Sequence, residues 1–177
     1  LSGCNSITKS FVLFEGAHGL LLDNEYGTYP FVTASKVVPE GPMSYLRQNH
    51  KDFPQIIGVT KAYTTRVGAG PFPTKLSGEI GNLIRKNGVE FGTTTGRERD
   101  CGWLDGEALR YAIGVSGINR LAVTKLDVLD TFEEVKICTR YIAPGRRVFM
   151  EDVPTEFLSD EDLVPVYETM PGWGCST

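Results

Sequence analysis

Residues 104–126, LDGEALRYAIGVSGINRLAVTKL, change period halfway along. Leu104, Ala108, Tyr111, Ala112 and Val115 recur at helical spacing, with Asp105 at the N-cap position and Gly117 as the stop. Residues 121–126 (LAVTKL) then form a short apolar run bounded by polar residues, the pattern of a strand. Upstream, Ser77 reads as a second N-cap, with Ile80, Leu83 and Ile84 on one face and Gly88 ending the helix. Residues 56–64 (IIGVTKAYT) are β-branched and aromatic, as strands are. Residues 11–14 (FVLF) predict a further buried strand that runs into a turn at Glu15-Gly16. Downstream, residues 135–141 (VKICTRY) and 147–150 predict a hairpin about Pro144-Gly145. Residues 67–73 (VGAGPFP) suit neither helix nor regular strand and predict a shaped loop, and residues 167–173 close the pattern.

Strands alternating with helices predict an α/β fold with a mostly parallel sheet, flanking helices and an antiparallel hairpin near the end. No repeat or linker divides residues 1–177, which read as a single domain. Hydrophobic residues make up 41% and charged residues 23%, so a disordered or fibrous chain is excluded. No apolar run approaches the roughly 20 residues that span a bilayer, and no membrane association is expected. The net charge of −4 and the lack of a dense Lys/Arg cluster argue against nucleic acid as a partner. Cys4, Cys101, Cys138 and Cys175 lie far apart, as do His18 and His50, so none of the ligand spacings of a zinc site occurs. Scattered cysteines suit a reducing cytoplasm. The sequence begins at Leu1 and its first methionine is Met43, which predicts a segment of a longer chain.

Three loops carry residue types suited to chemistry. Each is expected just beyond a strand, where open α/β sheets bind ligands. In residues 14–19 (FEGAHG), two glycines let backbone approach a ligand, and His18 either donates to a carbonyl oxygen or caps a turn. Residues 93–99 (TTTGRER) bring three hydroxyls, a glycine and two arginines together. Arg grips carboxylate or phosphate through a planar fork, so an anion site and a solvated loop both remain open. In residues 124–127 (TKLD), Asp127 at a strand end offers paired acceptors for N1–H and the 2-amino group of guanine, donors that adenine lacks. The stem of Lys125 can cover the base, and a surface ion pair is the alternative. No G-x-S-x-G elbow, Cys–His couple or GxxxxGK[ST] loop is present.

Five stretches in order resemble adenylosuccinate synthetase: FEGAHGLLLDNEYGTYPFVT (14–33), GVTKAYTTRVGAGPFPTKL (58–76), GVEFGTTTGRERDCGWLD (88–105), TKLDVLD (124–130) and YETMPGW (167–173). The resemblance implies part of a P-loop-NTPase-like domain in a cytoplasmic homodimer. It implies a ligase in which GTP phosphorylates the 6-oxo group of IMP and the amine of L-aspartate displaces the phosphate, giving adenylosuccinate. It places His18, Thr33 and Arg97 at IMP. Thr93, Thr94, Thr95, Gly96, Arg97 and Arg99 would receive aspartate, and Arg99, Lys125, Leu126 and Asp127 would hold GTP. Mg2+ would bridge the GTP phosphates, with ligands outside this segment.

Two departures stand out. His18 replaces the Gln of the family's FEGAQG motif, and residues 34–54 replace an SSN followed by a glycine-rich run. The family's GDEGKGK loop, its catalytic His and its C-terminal guanine-pocket segment do not occur in these residues, so the segment alone is expected to be inactive. Other readings are a ligase of this family for a 2-aminated purine nucleotide and, were the chain complete, a non-catalytic guanine-nucleotide-binding module.

Overall fold

A computed structural model describes residues 13–46, 55–92, 96–143, 146–148 and 163–177. Its strands are β1 (Ile57–Lys61), β2 (Tyr63–Arg66), β3 (Asp100–Asp105), β4 (Arg120–Thr124), β5 (Glu134–Ala143), β6 (Arg146–Val148) and β7 (Val164–Pro171). Its helices are α1 (Glu40–Leu46), α2 (Glu79–Gly88) and α3 (Gly106–Ser116), with 3₁₀ turns at Leu20–Leu22 and Leu126–Leu129. β1 and β4 form a parallel pair, while β2, β3, β5 and β6 form a second sheet in that order with β7 along β5.

The α/β class holds, and the expected hairpin appears as the antiparallel pair β5–β6, while its Pro144-Gly145 connection and residues 149 and 150 lie outside the described residues. The described sheets are mixed rather than mostly parallel. β1–β4 and β3–β5 are parallel, whereas β2–β3, β5–β6 and β5–β7 are antiparallel. β7 accounts for much of this. It returns along nearly the whole of β5, with a register shift between Cys138 and Arg140. The strand expected over 56–64 is divided at Ala62, where the backbone leaves one sheet and enters the other. The Ala62 N–H still donates to the Thr124 carbonyl (2.9 Å), so the two sheets share one continuous segment.

α3 follows its local code. Asp105 accepts from the Ala108 N–H (3.0 Å), and Gly117 closes the helix at φ 60°. α2 departs from it. Gly78, not Ser77, occupies the N-cap, and the buried face is Gly81, Ile84 and Gly88, leaving Ile80 and Leu83 more than 40% exposed. Glycines line that face because α2 lies close to its neighbours. A Cβ at Gly81 would stand 2.3 Å from the Leu76 carbonyl oxygen.

The main core gathers Tyr63, Ile84, Cys101, Trp103, Val128, Leu129 and Val135, with Phe132 edge-on to Trp103 at 5.8 Å. Cys138, Tyr141 and Leu163 form a second cluster. The strand expected over 11–14 is not seen: residues 11 and 12 lie outside the described residues, and Leu13 and Phe14 have no regular structure, with Leu13 88% exposed. Ile57, Val59, Leu121 and Val123 on the β1–β4 pair are likewise exposed.

Candidate functional site

The loop after β4 has a buried root and an open tip. Lys125 turns the chain at φ 62° in the left-handed region, and the following 3₁₀ turn buries Val128 and Leu129 at 2% exposure each. Thr124, Lys125, Leu126 and Asp127 stay exposed at the carboxyl end of the strand, where the sequence reading places the guanine contact. The Lys125 ammonium donates to the Gly88 carbonyl (2.8 Å) at the C-terminus of α2, the negative end of the helix dipole. Its stem is thereby drawn across the α2 corner.

That corner leads directly to a buried carboxylate. Val89 adopts φ 52°, and the Glu90 N–H returns to the Arg85 carbonyl (2.9 Å), which turns the Glu90 side chain inward to 1% exposure. Glu90 Oε1 accepts from Lys61 Nζ and from the Tyr63 hydroxyl, each at 2.6 Å, and Oε2 accepts from Arg99 Nη1 at 2.9 Å. Burial pushes the Glu90 carboxyl up, but the hydrogen bonds from Lys61 and Tyr63, the Lys61 charge and the Arg99 bond outweigh it and hold it below the usual carboxylate range. Burial, then the Glu90 bond, pushes the Tyr63 hydroxyl up. One carboxylate thus faces two cations, which leaves a local surplus of positive charge in a chain of net charge −4.

The loop over 93–99 starts from this same corner, following α2 and preceding β3 rather than extending from a strand end as expected. It is narrow-necked: the Gly92 N–H donates to the Arg97 carbonyl (2.8 Å) and the Arg99 N–H to the Glu90 carbonyl (3.0 Å). Arg85 Nε braces it through the Arg99 carbonyl (2.8 Å). Gly96 takes φ 62°, and Gly96 and Arg97 are exposed. Thr93, Thr94 and Thr95 lie outside the described residues. Arg99 Nε is buried and meets no acceptor among the described residues, so the guanidinium keeps donor capacity beyond its bond to Glu90.

The third segment, carrying His18 and Thr33, is organised by Asp23. Its Oδ1 accepts from the N–H groups of Glu25 (2.8 Å) and Tyr26 (3.2 Å), and its Oδ2 from that of Val37 (2.6 Å). Burial pushes this carboxyl up, but the backbone donors, Val37 first, outweigh it and lower it. The Thr33 N–H donates to the Leu22 carbonyl (2.8 Å), leaving its side chain partly exposed, and His18 is exposed at φ 69°. No described strand precedes residues 14–19. Arg66 Nη2 reaches Thr28 Oγ1 and the Phe31 carbonyl (3.4 Å each), and Tyr111 donates to the Tyr26 carbonyl (3.0 Å).

The structure therefore brings Arg99 and Lys125 to one corner, at Glu90 and Gly88. It holds His18 and Thr33 on a separate segment, tied to the same β1–β2 backbone through Arg66. Sequence reasoning missed Glu90, Lys61, Asp23 and Arg66. A signal was available for Glu90 alone: a single acid between a helix stop and an Arg-rich loop.

The family model for adenylosuccinate synthetase matches residues 5–177. The adenylosuccinate synthetase of Chlorobaculum tepidum is 53% identical over 167 residues, covering 93% of this chain and 38% of the relative. That of Synechococcus sp. (strain JA-2-3B'a(2-13)) is 50% identical over 166 residues, covering 94% and 36%. The chain thus spans well under half the length of the curated relatives it matches. The solved structure of fully ligated adenylosuccinate synthetase from Plasmodium falciparum superposes with a TM-score of 0.90 at 39% identity, over 99% of this chain and 42% of that one. The cyanophage S-2L succinoaminodeoxyadenylate synthetase shares the fold, with a TM-score of 0.57 at 19% identity over 86% of this chain and 49% of that one. On the extent of the family match and the identity to these relatives, the chain belongs to the adenylosuccinate synthetase family.

Proposed function

We propose that the protein carrying this sequence ligates L-aspartate to IMP with GTP, giving adenylosuccinate, GDP and phosphate. The observation that carries the reading is Asp127, exposed at the carboxyl end of β4 on a turn rooted in the core, in a chain of this family. In that position a carboxylate accepts both N1–H and the 2-amino group of guanine. Leu126 and the stem of Lys125 flank the base.

Arg97 and Arg99, with Thr93, Thr94, Thr95 and Gly96, receive the carboxylates of aspartate. Arg99 also reaches GTP, and His18, Thr33 and Arg97 face IMP. GTP phosphorylates the 6-oxo group, and the amine of aspartate displaces the phosphate. Imidazole at His18 supplies an N–H donor where the family has an amide, with a different reach and charge. The reading for a 2-aminated purine acceptor drew on His18 alone, and family membership favours IMP.

GTP in such a reaction is accompanied by Mg2+. Among the described residues no group of three or more His, Cys, Asp or Glu side chains is placed to hold a metal ion, so these residues do not fit the ion, and its ligands are proposed outside them. Residues 1–177 contain no GDEGKGK-like loop and are proposed to form one partial domain, inactive by itself. The active protein is proposed to be a cytoplasmic homodimer. No described helix is long and apolar enough to cross a membrane.

The test is nucleotide titration and turnover with the full natural gene product. It should form adenylosuccinate from IMP, aspartate and GTP, and prefer GDP to ADP. Asp127→Asn keeps the shape but exchanges an acceptor for a donor, and should weaken GDP by roughly 10- to 100-fold while leaving ADP unchanged. Equal affinity for GDP and ADP in the unaltered protein, or an unchanged ratio in the variant, overturns the guanine assignment.

A further inference from the structure

We propose that Glu90 is a positioning residue that aims Arg99 at its anionic ligand. The proposal deepens the functional reading above and rests on its assignment of Arg99 to aspartate. Three features of the geometry carry it.

The first is convergence. Donors from three places in the chain, Lys61 on β1, Tyr63 on β2 and Arg99 at the end of the 93–99 loop, meet on one carboxylate that is itself 1% exposed. A buried carboxylate with every bond from a different backbone position fixes those positions relative to one another.

The second is how Arg99 is held. Glu90 grips the residue twice, by side chain through Nη1 and by backbone through the Glu90 carbonyl, while Arg85 braces the Arg99 carbonyl from the other side. An unheld Arg samples many rotamers, and ordering it on binding carries an entropic cost. Glu90 removes much of that freedom before the ligand arrives, yet takes only part of the guanidinium's donor set.

The third is charge. Arg99 and Lys61 together outweigh Glu90, so the corner remains attractive to a carboxylate even though it contains one. Beside Glu90, Gly88 accepts Lys125, so the guanine loop is tied to the same α2 terminus.

The experiment is a double-mutant cycle in the full natural gene product, measuring kcat and KM for aspartate, IMP and GTP alongside thermal melts. The variants are Glu90→Gln, Arg99→Ala and both together. Arg99→Ala should raise the aspartate KM. Glu90→Gln should raise it about tenfold, the size of one ordered charged contact, with the IMP KM unchanged. In the Arg99→Ala background Glu90→Gln should add little, because its effect passes through Arg99.

An aspartate KM raised by Arg99→Ala but not by Glu90→Gln overturns the positioning role and leaves the Arg99 assignment standing. So does an effect of Glu90→Gln that is undiminished without Arg99, or one that lowers kcat for all substrates alike. An Arg99→Ala variant with an unaltered aspartate KM overturns the Arg99 assignment, and the proposal with it. If Glu90→Gln does not melt cooperatively, Glu90→Asp replaces it. That variant keeps the charge but draws the carboxylate back from Arg99, and the same outcomes decide.

Discussion

Replacing Asp23 by Ala should release the segment that carries Thr33 without unfolding the protein. Three backbone N–H groups converge on this carboxylate, at 2.8, 3.2 and 2.6 Å, and the residue is 1% exposed. A hydrogen bond to a charged acceptor contributes roughly 1.5–3 kcal/mol net. The three do not simply add, because Glu25 and Tyr26 are exposed and their amides can turn to water, whereas Val37 is half-buried and its amide has less recourse. A loss of about 3 kcal/mol follows for Asp23→Ala, an approximately 100-fold fall in local protection. Asp23→Asn is the finer probe. Its single carbonyl oxygen can serve Glu25 and Tyr26 or serve Val37, but the NH₂ then opposes the remaining donor, so the loss should be about tenfold and concentrated on one side.

Hydrogen exchange across residues 20–38 of the full natural gene product reads this directly. Protection should fall at Val37 and at the Thr33 amide bonded to Leu22, with little change in β5. The pH dependence has a definite sign. The Asp23 carboxyl is lowered in the folded chain, so its contribution is present above the unfolded value of about 3.9 and is lost as pH falls through the folded value. Unchanged Val37 protection in Asp23→Ala, or loop protection lost on raising the pH from 5 to 7, would refute the reasoning.

Further expectations concern packing and thiols. Gly88→Ala should lower stability by about 1–3 kcal/mol despite its better helix propensity, because the new Cβ would stand 2.3 Å from the Tyr63 hydroxyl oxygen and 3.1 Å from Glu90 Cγ. Gly114→Ala in α3, with nothing within 4 Å of its Cβ, is the matched control and should gain about 0.5–1 kcal/mol; thermal melts that rank the two the other way would contradict the packing. Of the described cysteines, exposed Cys175 should alkylate at pH 8 while Cys101 and Cys138 resist, since burial pushes their thiols up to about 11 and about 12. Both values lie above the unfolded thiol's roughly 8.5, so this stabilisation is full below that pH and fades as pH rises through the folded values. Labelling of Cys138 as fast as Cys175 in the native protein would count against it.

The sequence by itself determined what short-range chemistry controls. Asp105 and Gly117 bracket α3 because a cap needs only its own helix turn, and β5 pairs with β6 because strands close together in sequence meet at little entropic cost. The exposed loop at the end of β4 was legible for the same reason, as a strand pattern running into Lys125 and Asp127. Long-range pairing was not. β3 (DCGWLD) shows little alternation of its own and is a strand because β2 and β5 flank it. β7, bracketed by Pro165 and Pro171, is a strand because β5 offers an edge. Residues 13 and 14 show how little a short apolar run says about burial, since Leu13 is 88% exposed and Phe14 40%.

Tertiary structure alone decided the site's interior. Nothing in the spacing of Lys61, Tyr63, Glu90 and Arg99 announces that they meet. Only the turn at Val89 sends Glu90 inward, and only the crossing of β1–β2 beneath it supplies Lys61 and Tyr63. A buried carboxylate is stable only when its donors converge in space, and convergence in space is what a linear pattern of residue types does not encode.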